Sequence, residues 1–245
     1  MLIVESWRVV EGCAAGLAAH RERFVSSCVR HAPGLGVAAV ETAWSGFLAQ
    51  IPRRGDLFPR IQFDTGTGEF GQVLRPAPVR PPTATFWCAP PGDLRSQPGT
   101  KGPDLDLLAG LRARAEAVGA QEALILAPDG TVVEGAYTAV VWWEGATLCV
   151  RDEGVSRLPS VTEGRLLDLC RQRGIPVRGG RLAAERLPDH ETWVVNSLDQ
   201  VRLLVPGRIG GVDPGGDVVG DGPVFSARFR ELSAALWAGW PALPG

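Results

Sequence analysis

The stretch "EALILAPDGTVVEGAYTAVVWWEGATLCV", residues 122–150, limits the possible folds more than any other part of the chain. Its apolar runs break at Pro128-Asp129-Gly130 and again at Glu144-Gly145. Such breaks signal strands joined by tight turns, because glycine reaches the positive φ that closes them. Strands joined this way run antiparallel, which argues against an all-parallel sheet. Helical spacing appears on either side. In "GLAAHRERFVSSCVRH", Leu17, Phe24 and Cys28 predict a helix from about residue 16 to 30, closed by the proline and glycine of "HAPG". In "DLDLLAGLRARAEAVGA", Leu105, Leu108, Leu111, Ala115 and Val118 share a helical face that stops at Gly119. A further helix begins in "LPSVTEGRLLDLCRQRG", where Ser160 and Glu163 have capping-box spacing and Gly174 ends the run. "ETWVVNSL" and "RLLV" add strands, and Phe229, Leu232 and Leu236 mark a last amphipathic helix. The order is mixed, and the expected class is α+β.

Between "RIQFD" and "TATFW" lies "LRPAPVRPP", whose prolines permit neither a helix interior nor a central strand. It reads as an extended connector and places a boundary near Pro82, with a smaller α/β domain over 1–82 and a larger β-rich domain over 83–245. A chain of 245 residues is long enough for two modest cores. A net charge of -2 with interspersed signs leaves no electrostatic footprint for nucleic acid. No apolar run approaches a membrane span, and "MLIVESWRVVEG" meets Glu5 too early for a signal peptide, so a cytoplasmic location is expected. Five cysteines without CxxC spacing fit reduced thiols, and His20, His31 and His190 are too scattered to suggest a metal site. The glycine-rich "GRIGGVDPGGDVVGDG" lacks the Gly-Lys-Ser/Thr ending of a phosphate cradle and reads as a loop.

The 25 lysines and arginines include a single lysine, Lys101. Arginine serves a surface charge as well as lysine does but cannot act as an amine nucleophile, so a lone lysine points to amine chemistry. Three other features accompany it: Glu134 on a strand, a helix start at Ser160 to Thr162, and Arg23 on the first helix. A helix start offers N–H donors and a positive dipole end to a phosphate, and arginine adds bidentate charge. An amine beside a phosphate site suggests pyridoxal phosphate, whose aldehyde condenses with lysine and whose ring nitrogen needs an acid opposite it. Taken singly, each residue has a plainer role: a solvated arginine, a helix cap, a turn acid, turn residues at Asn196 and Ser197. One cofactor accounts for the lysine, acid, arginine and helix start together.

These motifs resemble the class IV aminotransferases, the fold-type IV pyridoxal-phosphate enzymes, which include branched-chain and D-amino-acid aminotransferases and aminodeoxychorismate lyase. "VVEGAYTAVVWWEGATLCV" is similar to the family's Glu-Gly strand motif, and "LPSVTEGRLLDLCRQRGIPV" to its Leu-Pro-Gly-Ile-Thr phosphate loop and helix. "HRERF" resembles the segment that supplies the phosphate arginine, "VVNSLDQVRLLV" the strand and loop on the substrate side, and "VGDGPVFSARFREL" the terminal segment. The resemblance implies a two-domain fold with a small N-terminal α/β domain, a larger pseudo-barrel domain and the cofactor between them. It further implies a homodimer. Residue by residue, it makes Lys101 the Schiff-base lysine and acid–base group and pairs Glu134 with the pyridine nitrogen. Arg23, Ser160, the backbone of Val161 and the hydroxyl of Thr162 would hold the phosphate, with Asn196 and Ser197 near cofactor and substrate.

The expected activity is therefore that of a pyridoxal-phosphate-dependent aminotransferase acting on a small amino acid. The alternatives are a 4-amino-4-deoxychorismate lyase, favoured by the Asn-Ser-Leu in "VVNSL", and a cofactor-binding protein without turnover. Family members carry some two dozen residues, with a tyrosine beside the active site, ahead of the segment that "VESWRVVEG" resembles. The only tyrosine here is Tyr137, so that hydroxyl is expected to be absent. Ser160 stands where the family has glycine. Arg53, Arg54 and Arg60 are candidates for a substrate carboxylate, and no motif selects among them.

Overall fold

A computed structural model describes residues 1–206 and 225–244. The glycine-rich segment expected to be a loop falls outside these residues. The chain forms two compact units: Met1–Val79 with Ser96–Asp104 and Ala238–Gly245, and Arg80–Arg95 with Leu105–Trp237. The reading at Pro82 is a single cut; the folded chain changes unit at Val79/Arg80 and then returns the segment carrying Lys101, and the C-terminus, to the first unit. The reason is hydrogen bonding by backbone beyond the prolines. Val4 N–H donates to the Lys101 carbonyl at 2.8 Å, and Ala14 N–H to that of Pro241 at 3.0 Å.

The first unit contains β1 (Leu2–Ser6), β2 (Val9–Val10), β3 (Cys13–Ala14), α1 (Leu17–His31), α2 (Val37–Gln50), β4 (Asp56–Leu57), β5 (Arg60–Asp64) and β6 (Glu69–Val73). Strands β1, β5 and β6 form an antiparallel sheet with Glu5 opposite Ile61 and Ile3 opposite Phe63. Side chains alternate along β1, so Ile3, Glu5 and Trp7 point the same way, into the core. There Trp7 packs on Trp44 at 4.8 Å between centroids, with Phe24 and Phe47 close by. Burying each of these large side chains contributes roughly 1.5–3 kcal/mol. Helix α2 was not among the elements expected from sequence. Its buried residues Val40, Trp44, Phe47 and Leu48 have helical spacing, but Ala38, Ala39, Ser45, Gly46 and Ala49 surround them with small residues, so the apolar stripe has little contrast.

The second unit holds β7 (Thr83–Cys88), α3 (Leu105–Ala117), β8 (Glu122–Leu126), β9 (Val132–Gly135), β10 (Ala139–Glu144), β11 (Thr147–Arg151), α4 (Val161–Gln172), β12 (Val177–Gly180), β13 (Thr192–Asn196), β14 (Gln200–Val205) and α5 (Ala227–Trp237). Eight strands form one sheet in the order β12-β11-β10-β13-β14-β7-β8-β9, mixed parallel and antiparallel. The hairpins read from sequence are β8–β9 and β10–β11. Because β9 runs straight on into β10, the last strand in the order returns beside the third, and the sheet curls into a half-barrel. Trp143, Trp193 and Phe229 pack edge to face beneath α4 and α5. Among the described residues no helix is long and apolar enough to cross a membrane.

Candidate active site

In the first unit the site begins with the loop that presents Lys101. The Asp104 carboxylate gathers the N–H groups of Ser96 and Gln97 and the Ser96 hydroxyl at 2.8–2.9 Å, closing the loop on itself. Thr100 Oγ1 lies 2.9 Å from Nε2 of His31 at the end of α1. Gly102 has φ +135°, and a Cβ there would sit 2.1 Å from the Leu2 carbonyl oxygen. Only glycine lets the chain pass this close to β1, and this passage is what fixes Lys101 beside that strand.

Glu5 receives Lys101. Its carboxylate is fully buried, and Lys101 Nζ lies 3.5 Å from Oε1. Arg23 donates through Nε to Oε2 at 2.8 Å and through Nη2 to Oε1 at 2.7 Å. His20 Nδ1 is 3.1 Å from Oε1, and Ser6 N–H donates to the same oxygen at 3.0 Å. Burial pushes the carboxyl up, but Arg23, Lys101 and His20 together outweigh burial and hold it well below the ordinary glutamate range. Burial pushes Lys101 down; Glu5 pulls it up, and Arg23 and Arg75 push down again, leaving the amine more easily deprotonated than an ordinary lysine. His20 is likewise lowered, chiefly by burial, against the pull of Glu5.

Arg60 lies on β5 and Arg75 just beyond β6, close enough for the charge of Arg75 to act on Arg60. Phe58 N–H donates to the Arg75 carbonyl at 2.8 Å, Arg75 Nε donates back to the Phe58 carbonyl at 3.0 Å, and Arg60 pairs with Val73 in register. Burial lowers the proton affinity of both, and each lacks an acidic partner among the described residues. Arg60 Nε is buried with no hydrogen-bond partner among those residues. Arg53 bonds instead to the carbonyls of Leu243 and Pro244, and Arg54 is exposed.

In the second unit Glu134 is buried on β9. Its Oε1 accepts from Arg95 Nη1 and, at 3.4 Å, from the N–H of Leu158. Arg95 is itself gripped by Asp93, with Nε 2.9 Å from Oδ1 and Nη2 2.6 Å from Oδ2. Oε2 of Glu134 has no hydrogen-bond partner among the described residues. Burial raises the proton affinity of Glu134, and the opposing pull of Arg95 and Leu158 does not reverse it. The next residue, Gly135, runs against Thr138 and the buried Glu122, and a Cβ there would lie 2.1 Å from Thr138 Oγ1.

Helix α4 starts as its sequence requires. Ser160 Oγ accepts the N–H of Glu163 at 3.2 Å, and Arg157 forks onto the Glu163 carboxylate at 2.6 and 2.8 Å. Val161 and Thr162 form the first turn, whose amides have no carbonyl acceptor within the helix. Thr162 Oγ1 meets Ser197 Oγ at 3.5 Å, so α4 and the β13–β14 turn bring two of the expected residues together. Asn196 builds that turn: its Oδ1 accepts the N–H groups of Leu198 and Asp199 at 3.0 and 2.7 Å.

Sequence reasoning missed Glu5, His20 and Arg95. Glu5 carried a legible signal, an acid between Ile3 and Trp7 on the inward face of a strand, where a charge needs partners. His20 stood in "HRERF" without a role, and nothing in the sequence joins it to Glu5; Arg95 pairs locally with Asp93, but its link to Glu134, 39 residues on, leaves no local signal. Among the described residues no group of histidines, cysteines and acids has the arrangement of a metal site.

No curated protein matches the chain by sequence. Solved structures do match by shape. An aminotransferase from Brucella abortus bound to pyridoxal phosphate aligns with a TM-score of 0.71 at 20% identity, covering 96% of this chain and 87% of that one. A candidate 4-amino-4-deoxychorismate lyase from Legionella pneumophila gives 0.75 at 17% identity, covering 96% and 90%. A branched-chain aminotransferase from Thermoproteus uzoniensis gives 0.74 at 15% identity, covering 96% and 84%. At these identities the likeness shows the fold. The model of the amino-transferase class IV family matches residues 2–204, most of the chain. By that match the chain belongs to the class IV aminotransferases, a family of pyridoxal-phosphate enzymes.

Proposed function

We propose that this protein is a pyridoxal-phosphate-dependent aminotransferase acting on a small amino acid, with Lys101 as its reactive amine. The observation that carries the reading is the placement of the chain's only lysine against the buried Glu5–Arg23 pair, where burial, with Arg23 and Arg75 adding to it, lowers the amine's proton affinity below that of an ordinary lysine. The residues fit the cofactor. Glu134 has one oxygen anchored by Arg95 and Leu158 and the other without a partner among the described residues, which suits an acceptor for a ring N–H. When bound, pyridoxal phosphate supplies an aldehyde and a ring that stabilises negative charge at the substrate carbon. Lys101 would hold the cofactor's aldehyde group and supply the amine that moves the proton of the substrate's Cα. Glu134 would accept the ring N–H and hold the proton there. Arg23, Ser160, the amide of Val161 and the Thr162 hydroxyl are assigned to the phosphate, with Ser197 beside Thr162.

For the substrate carboxylate we assign Arg60, supported by Arg75. Of the three arginines left open by sequence, Arg53 is spent on backbone carbonyls and Arg54 is exposed, whereas Arg60 keeps a buried donor without an acceptor. A second reading, 4-amino-4-deoxychorismate lyase, is favoured by the Asn196-Ser197-Leu198 turn. One experiment separates them. Aminodeoxychorismate is supplied alone, and in parallel a panel of L- and D-amino acids is supplied with 2-oxoglutarate or pyruvate. Steady keto-acid formation in the panel without lyase turnover supports the aminotransferase; 4-aminobenzoate and pyruvate released without a keto acceptor overturn it in favour of the lyase.

A further inference from the structure

We infer that Glu5 is a positioning residue for the reactive lysine: one buried carboxylate that fixes the Arg23 guanidinium and gives the Lys101 amine its resting place. The inference rests on the reading of Lys101 as the reactive amine. The geometry separates the partners of Glu5 into two groups. Arg23, His20 and Ser6 hold the carboxylate at 2.7–3.1 Å, through both oxygens. Lys101 touches it only at 3.5 Å and keeps 26% of its side-chain surface exposed. The acceptor is rigid and the lysine is its loosest partner, so Lys101 can leave without disturbing the rest.

A carboxylate is required at this position because Arg23 and Lys101 are both cationic and both reach it. Without it they would repel one another in a low-dielectric setting, and Arg75 would add to the repulsion. The charged groups acting on Lys101 are Glu5 on β1, Arg23 on α1 and Arg75 just beyond β6; His20, also on α1, bears on the Glu5 carboxylate. Glu5 is the only anion among them. A purely structural ion pair between Glu5 and Arg23 would support the fold but leave the lysine's proton unaffected, and this difference can be measured.

The single lysine makes the measurement clean. Reductive methylation of the cofactor-free protein with 13C-formaldehyde labels two amines, Met1 and Lys101, whose NMR resonances titrate separately. Glu5→Gln should lower the Lys101 midpoint by about 1 pH unit or more, with Met1 unmoved as the internal control. Glu5→Asp, which keeps the charge but retracts it, should fall between Glu5→Gln and wild type. Arg23→Gln should move the midpoint the opposite way, upward, and it provides the test should Glu5→Gln fail to fold. A Lys101 midpoint that is unchanged or raised in Glu5→Gln, or unchanged in Arg23→Gln, overturns the inference. No cofactor enters this titration, so its failure is distinct from failure of wild-type protein to capture pyridoxal phosphate.

Discussion

At the residue scale the first unit's chemistry depends on how tightly single atoms are placed. Gly102 is one such point, since any side chain there collides with the β1 backbone. Gly102→Ala is expected to cost more than about 1 kcal/mol, because the added methyl is incompatible with both the φ and the space. Urea denaturation measures that cost, and borohydride labelling of Lys101 in the presence of pyridoxal phosphate should slow in parallel. His20 gives a pH dependence. Its folded proton affinity is lowered, mainly by burial, so the unfolded state takes up a proton first as the pH drops. The stability from the neutral buried ring is complete above the ordinary histidine value, roughly pH 6.5, and is lost as pH falls through the lower folded value. The urea midpoint should therefore decline between pH 7 and 5, and His20→Gln, which keeps a donor for Glu5, should flatten that decline. An equal decline in the variant would show that other groups are responsible.

At the element scale, the parts of the site that sequence revealed are those whose partners are near in the chain. Ser160 and Glu163 read as a capping box, and Ser160 does cap α4. Ser160→Ala should cost about 1 kcal/mol, whereas Ser160→Gly, which restores the family's residue, should cost only a few tenths. Thermal unfolding of the two variants ranks them directly. The strand–turn–strand run from Glu122 to Val150 was legible for the same reason, because turn chemistry and alternation are local. Helix α2 was not, since its small-residue flank hides the apolar stripe. Glu5, His20 and Arg95 belong to clusters assembled across 15 to 96 residues of chain, and one-dimensional spacing cannot register them.

At the scale of the whole molecule, the α+β class follows from the hairpins and the connector, the curl of the β-rich unit was implied only by the family resemblance, and the passage of residues 96–104 into the first unit was signalled by neither. That passage is set by backbone hydrogen bonds to β1, which no composition shift announces. The family resemblance implies a homodimer; light scattering coupled to size exclusion at micromolar concentration should return twice the chain mass of 26.1 kDa, and a monomer would count against it. One amine, Lys101, is expected to capture pyridoxal phosphate. The most direct test titrates purified protein with the cofactor, reduces it with borohydride and maps the label by peptide mass spectrometry. A visible absorbance band and a single modified residue, Lys101, are expected. A protein that stays colourless with excess cofactor, or one labelled only at Met1, would contradict it.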